Sequence, residues 1–153
     1  MRKVYLQCKI DIMTRPLFVA LQTRHPREEF QGYATVQHEQ NSNTQWIIRE
    51  PGDPGYSPDP KAPCFQIVHE ETNGRLLFQL KGMALIVTKS GSAPFDAYEW
   101  RADNLRNGFF AFNNQDGTLV MDLSGGQPIP GTSVIAFPWN NGDNQMWQFI
   151  DRP

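Results

Sequence analysis

The sequence predicts an all-β chain made of three repeats, and three observations carry that prediction. No window of about a dozen residues sustains the apolar spacing of a helix. Among 153 residues there are 12 Gly and 12 Pro beside 10 Phe, 4 Trp and 4 Tyr, a composition suited to many short strands joined by tight turns. A Trp also recurs behind an Asn- or Asp-bearing loop, at Trp46, Trp100 and Trp147, with separations of 54 and 47 residues. Units of that length, each a few short strands, are too small to bury their own apolar faces and must share one core.

In the first repeat the apolar run at residues 17–21 reads as a strand, and Asn43-Thr44-Gln45-Trp46 as the closing segment. Closing it at Gln31-Gly32-Tyr33 is the other register; Trp46 gives the more even spacing. Residues 50–63 then hold five Pro and two Gly, which cannot occupy a sheet interior. This stretch reads as an exposed connection. Its two Pro-x-x-Pro spacings lack a flanking basic residue, which argues against a Pro-rich ligand for an aromatic groove.

The second repeat, Asn73-Gly74-Arg75-Leu76-Leu77-Phe78-Gln79-Leu80, aligns with Asp116-Gly117-Thr118-Leu119-Val120-Met121-Asp122-Leu123 of the third. That alignment sets Gln79 against Asp122, with Ala20 at the same place in the first repeat. In the third repeat Asp116-Gly117 is a turn signal, and residues 120–123 a short strand that ends near a Gly pair. A second strand at 133–137 leads into the polar loop Asn140-Asn141-Gly142-Asp143. The loop closes on Gln145-Met146-Trp147, where alternation puts Gln145 and Trp147 on one face. The expected repeats are about 1–50, 62–103 and 108–151 within a single domain, 1–153, with the three Trp as equivalent core anchors.

The ordered set Asp122-Leu123, Gly131-Thr132, Phe137-Pro138-Trp139-Asn140 and Asp143-Asn144-Gln145-Met146-Trp147 resembles one repeat of a ricin-B-type β-trefoil lectin. More loosely, the whole chain is similar to the Euonymus-type lectins, with fungal β-trefoil lectins as close competitors. The Euonymus-type landmarks are Val4-Tyr5-Leu6-Gln7-Cys8-Lys9, Glu29-Phe30-Gln31, Pro63-Cys64-Phe65-Gln66-Ile67-Val68 and the closing Gly142 to Trp147 segment. The resemblance implies six strands closing a barrel and three hairpins capping it. It further implies a nucleocytoplasmic lectin for glycans containing galactose, N-acetylgalactosamine or mannose.

A shallow sugar site needs a carboxylate to accept from neighbouring hydroxyls, an amide that donates and accepts, and an aromatic face for the C–H side of the ring. The last repeat offers all three. Asp122 supplies the carboxylate. Phe137 stands where ricin-type sites carry their stacking ring, and Trp139 lies two residues on. Asn140, Asn144 and Gln145 supply amides. Each has a plainer reading as well: Asp122 as a turn carboxylate, Phe137 as core, Asn140 as a turn former, Asn144 and Gln145 as loop braces. Ala20 and Gln79 bring no charge-assisted acceptor to the other two repeats, so one working site is expected. Such a site reaches about −4 to −6 kcal/mol; tighter capture needs several sites or a homodimer.

Fourteen basic and 16 acidic residues give a net charge of −2 without a long basic run, which lacks the electrostatic footprint of a nucleic-acid binder. Nothing approaches the roughly twenty apolar residues of a membrane span. The N-terminal apolar run ends by Gln7 and does not read as a signal peptide, which favours a cytoplasmic or nucleocytoplasmic protein. Cys8 and Cys64 read as small buried hydrophobes. His25, His38 and His69 are isolated from any zinc spacing, and neither a nucleophile elbow nor a phosphate loop occurs, so no enzyme, metal or cofactor is expected. The competing readings are a protease inhibitor acting through the 50–63 loop and a protein-binding scaffold without sugar binding.

Overall fold

The computed structural model describes residues 2–10, 15–23, 29–50, 53, 64–89, 98–105, 108–114 and 116–153. Among these residues twelve strands fall into three sets of four. The first set is β1 (Arg2–Cys8), β2 (Phe18–Thr23), β3 (Phe30–Gln37) and β4 (Trp46–Arg49). The second is β5 (Gln66–His69), β6 (Arg75–Leu77), β7 (Ile86–Thr88) and β8 (Arg101–Asn104). The third is β9 (Phe110–Asn113), β10 (Val120–Leu123), β11 (Val134–Phe137) and β12 (Trp147–Asp151). The chain is all-β, as its composition and turn signals predict. Residues 51–52 and 54–63 of the Pro-rich connection lie outside the described residues.

Six strands form a ring. β1 pairs with β4, β4 with β5, β8 with β9, β9 with β12, and β12 with β1, all antiparallel. The Phe65–Trp100 bridge joins the β5 and β8 sides. Closure leaves these strands without an open edge, which is how an all-β chain avoids pairing with its neighbours. The remaining strands make three hairpins, β2–β3, β6–β7 and β10–β11. The hairpins meet one another through the pairs Tyr33–Ile86, Thr35–Ser133 and Ala84–Ile135.

The three tryptophans hold ring and hairpins together. Trp46, Trp100 and Trp147 have no exposed surface. Their indole N–H groups donate to Val19 O, Leu76 O and Met121 O at 2.9, 3.1 and 3.0 Å. Each ring thus reaches from the closing strand of a repeat into that repeat's hairpin. Burying a Trp contributes about 4–6 kcal/mol of transfer free energy before ordering entropy, and the hydrogen bond removes the cost of a buried unpaired N–H. Around them one continuous cluster draws on all three repeats, including Leu6, Leu17, Val36, Ile67, Leu85, Phe112, Met121 and Val134.

These hydrogen bonds also correct the alignment of the second repeat. Val19, Leu76 and Met121 are equivalent, so the position of Asp122 is filled by Ala20 and by Leu77, not by Gln79. Strand register agrees: Ala20, Leu77 and Asp122 face Thr35, Ile86 and Ile135. Gln79 lies beyond β6, where its amide donates to Ala84 O at 3.0 Å. Trp46 is the closing residue of the first repeat. Cys8 and Cys64 are buried thiols, and burial pushes Cys8 up to about 12.

Candidate functional site

Asp122 sits on the β10–β11 hairpin opposite Ile135 and is only 3% exposed. Two amides from the closing loop hold its carboxylate. Gln145 Nε2 donates to Oδ2 at 2.7 Å, and Asn144 Nδ2 donates to Oδ1 at 3.1 Å. Asn144 Nδ2 also donates to Leu123 O at 3.1 Å. Each carboxylate oxygen has a further lone pair, so the group retains acceptor capacity for hydroxyls. Burial pushes the Asp122 carboxyl above its ordinary value, and the bonds from Gln145 and Asn144 oppose that shift in part.

The loop is built to deliver those amides. Asn140 Oδ1 accepts from Gly142 N at 2.9 Å, the side-chain-to-backbone turn that Asn favours. Asn141 takes the left-handed conformation at φ 65, which Asn tolerates better than most residues. A 3₁₀ turn, Asp143–Gln145, then points Asn144 and Gln145 back at β10. Opposite it, Gly125 and Gly126 are both left-handed, at φ 63 and 64, a pair that few residues other than Gly can supply. This turn follows directly on β10, and both glycines line the surface beside Asp122.

An open depression of about 360 Å³ results, lined by Asp122, Gly125, Gly126, Ile135, Phe137, Asn140 and Asn144. Four of the six residues predicted from sequence therefore line one surface. The other two do not. Gln145 is fully buried and works from beneath: its amide N also donates to Pro138 O at 2.9 Å, and its Oε1 accepts from Asn140 N at 2.8 Å. It is a brace for Asp122 and Asn140. Trp139 is 41% exposed and stands outside the depression, because β11 ends at Phe137 and strand alternation stops there. Ile135, Gly125 and Gly126 were not singled out from sequence, although Ile135 shares the parity of Phe137 and the Gly pair marks the turn.

The pseudo-equivalent surface of the first repeat is a depression of about 520 Å³ that includes Thr35, Gln37, Glu39 and Asn43. Asn43 takes the place of Asn144, three residues before its Trp, but Ala20 stands where Asp122 would be. Among the described residues no cluster of three or more His, Cys, Asp or Glu is placed to hold a metal ion. No described helix is long and apolar enough to cross a membrane.

No protein-family model and no curated protein sequence matches the chain. Solved structures do match it. The designed threefold-symmetric protein ThreeFoil superposes with a TM-score of 0.78 at 16% identity, over 98% of this chain and 99% of that one. The ricin B-like lectin of Macrolepiota procera, solved with lactose, gives 0.68 at 18% identity over 99% and 96%. The Rhizoctonia solani agglutinin gives 0.73 at 17% identity over 99% and 96%. Two glycosidases of Clostridium match as well, the chain covering only 30% and 33% of their lengths. At these identities the likeness shows the fold. The fold is one that lectins use.

Proposed function

We propose that the chain is a β-trefoil lectin that binds glycans through the depression over Asp122 in its last repeat. The observation that carries this reading is the braced carboxylate beside an aromatic ring and two amides. Hydroxyls both donate and accept, and here Asp122 keeps acceptor capacity while the exposed Asn140, whose Oδ1 is taken by Gly142 N at 2.9 Å, offers its N–H2 as a donor. Phe137 offers an apolar patch to the C–H groups of a pyranose. The neighbouring lectin structures favour the same reading, and galactose, N-acetylgalactosamine or mannose units are the sugars proposed. The Euonymus-type landmarks add a nucleocytoplasmic setting to the proposal. We read the site as binding and not catalytic, since no second carboxylate lines the depression among the described residues.

A glycan array of the wild type beside Asp122→Asn tests this. The variant keeps the volume of the side chain, so its melting temperature is expected to stay within a few degrees. It retains a single acceptor oxygen and points an N–H2 at the donors of Gln145 or Asn144, so affinity is expected to fall at least tenfold, about 1.4 kcal/mol. Wild-type binding also requires the ionised carboxylate. On acidification it is expected to fail at a pH above 3.8, the ordinary Asp value, because burial raises this pKa. A folded wild type that binds no glycan at high protein concentration would overturn the proposal.

A further inference from the structure

The depression has a neighbour that the last repeat does not supply. The turn following β6 in the second repeat lies along β11: Gly82 N donates to Ala136 O at 2.6 Å, and Ala136 N donates to Met83 O at 3.1 Å. Within the turn, Met83 N donates to Leu80 O at 3.0 Å, and Gln79 Nε2 donates to Ala84 O at 3.0 Å. The backbone carrying Lys81 is therefore fixed against the site. Lys81 is exposed, and its ammonium lies over the Phe137 ring, 5.6 Å from the centroid.

Among the described residues, the two carboxylates of the last repeat nearest the depression have partners of their own. Asp143, on the loop, pairs with Lys9 at 3.1 Å. Asp122 accepts from Gln145 and Asn144. Lys81 thus brings a positive charge to a ring that lines the depression, on the side away from the carboxylate. Asp122 is paired with Ile135, two residues from Phe137, so about 7 Å of strand separates the position facing Asp122 from the ring that Lys81 overlies. A carboxylate at one end and an ammonium at the other make a polarised site longer than a single contact point.

We propose that this site selects acidic glycans, in which a neutral unit takes Asp122 and an attached carboxylate or sulfate, on the far side of Phe137, takes Lys81. The proposal rests on the lectin reading above and names the substrate class of that site. A free anion alone is not its ligand, because Asp122 repels one that lacks hydroxyls to donate. The ammonium is solvent-exposed, so the charge contributes a modest preference that salt weakens.

Matched saccharides test it: lactose or mannobiose, whichever the wild type binds better, compared with its monosulfated form and with a form carrying one carboxylate. Titrations of wild type, Lys81→Gln and Lys81→Arg are run at low salt and at high salt. The expected result is an acidic member binding the wild type about fivefold tighter than the neutral one at low salt. That ratio falls to about one in Lys81→Gln and at high salt, and it returns in Lys81→Arg. Preference for both acidic forms means that charge alone is read, whereas preference for one identifies the group. Equal binding of neutral and acidic forms overturns the proposal while leaving the lectin standing, as does a preference that survives Lys81→Gln. Binding of no member to the folded wild type overturns both.

Discussion

Single atoms decide the site, and Gly142 shows how narrowly. Its φ is −83, so any residue fits its backbone. A Cβ there, however, would stand 2.4 Å from Asn144 Oδ1 and 2.9 Å from Asn140 Oδ1. Gly142→Ala must push both side chains aside. The fold tolerates this because both are ends of rotatable side chains, so the melting temperature is expected to change little. Glycan affinity is expected to drop about tenfold as Asn144 leaves Asp122. Equal binding by the variant would show that neither amide is needed where it stands. At this scale the sequence announced the residue types and misjudged two placements. Asp122, Phe137, Asn140 and Asn144 were picked out as the chemistry a sugar site would need in a short span, and the structure brings these four to one depression. Gln145 was legible only as an amide near them, since spacing cannot tell a ligand from the brace beneath it. Lys81 was invisible, because nothing in local spacing says that a turn of the second repeat rests on a strand of the third.

The elements repeat because one contact repeats, the indole of each closing Trp hydrogen-bonded to a carbonyl of its own hairpin. Trp147→Phe removes the bond to Met121 O and part of the ring's packing, a loss of about 1–3 kcal/mol. Trp46→Phe removes the equivalent bond to Val19 O and should cost a similar amount. Binding separates the two. Met121 adjoins Asp122, so Trp147→Phe is expected to weaken glycan binding, while Trp46→Phe leaves it near wild type at temperatures where both are folded. Chemical denaturation with parallel glycan titration reads both quantities, and equal loss of binding in the two variants would refute a site confined to the last repeat. The Trp period was readable because a buried Trp at strand starts is costly to move. The register of the second repeat was not. Gly74 looks like the partner of Gly117, yet the left-handed residues are Asn73 at φ 59 and Gly117 at φ 75, so the two turns place their strain differently. Aligning on glycine slipped the strand by two, which a single sequence gives no means of detecting.

The whole molecule closes where its ends meet, and that closure has a pH dependence of its own. β1 and β12 pair over five positions, and Arg152 N donates to Lys3 O at 3.0 Å. The Arg152 guanidinium also donates to Val4 O and Trp46 O, at 3.2 and 3.3 Å, and to Glu70, which accepts from Lys3 as well. Burial alone would push Glu70 upward, but the bonds from Arg152 and Lys3 outweigh it and hold the carboxyl below its usual range. None of this was legible in the sequence, because the partners are scattered over both ends and the middle of the chain. Beside Glu70, His69 is 1% exposed and packs edge-on against Trp46. Its Nδ1 lies 3.1 Å from Thr72 Oγ1 and its Nε2 3.3 Å from Asn43 O. Burial lowers its pKa below the ordinary 6.5. Between 6.5 and that lower value the unfolded chain takes up a proton that the folded chain refuses, so stability must fall as the pH drops below 6.5. Asp122 runs the other way: its raised pKa means that protonation relieves a buried charge, so it cannot cause this loss. Glu70 contributes only further down, below 4.5, where its depressed pKa begins to matter. Thermal melts from pH 7.5 to 5 are therefore expected to show a falling melting temperature in the wild type and a flatter profile in His69→Gln, whose amide can still donate to Asn43 O. Parallel profiles would place the acid sensitivity elsewhere than in this imidazole.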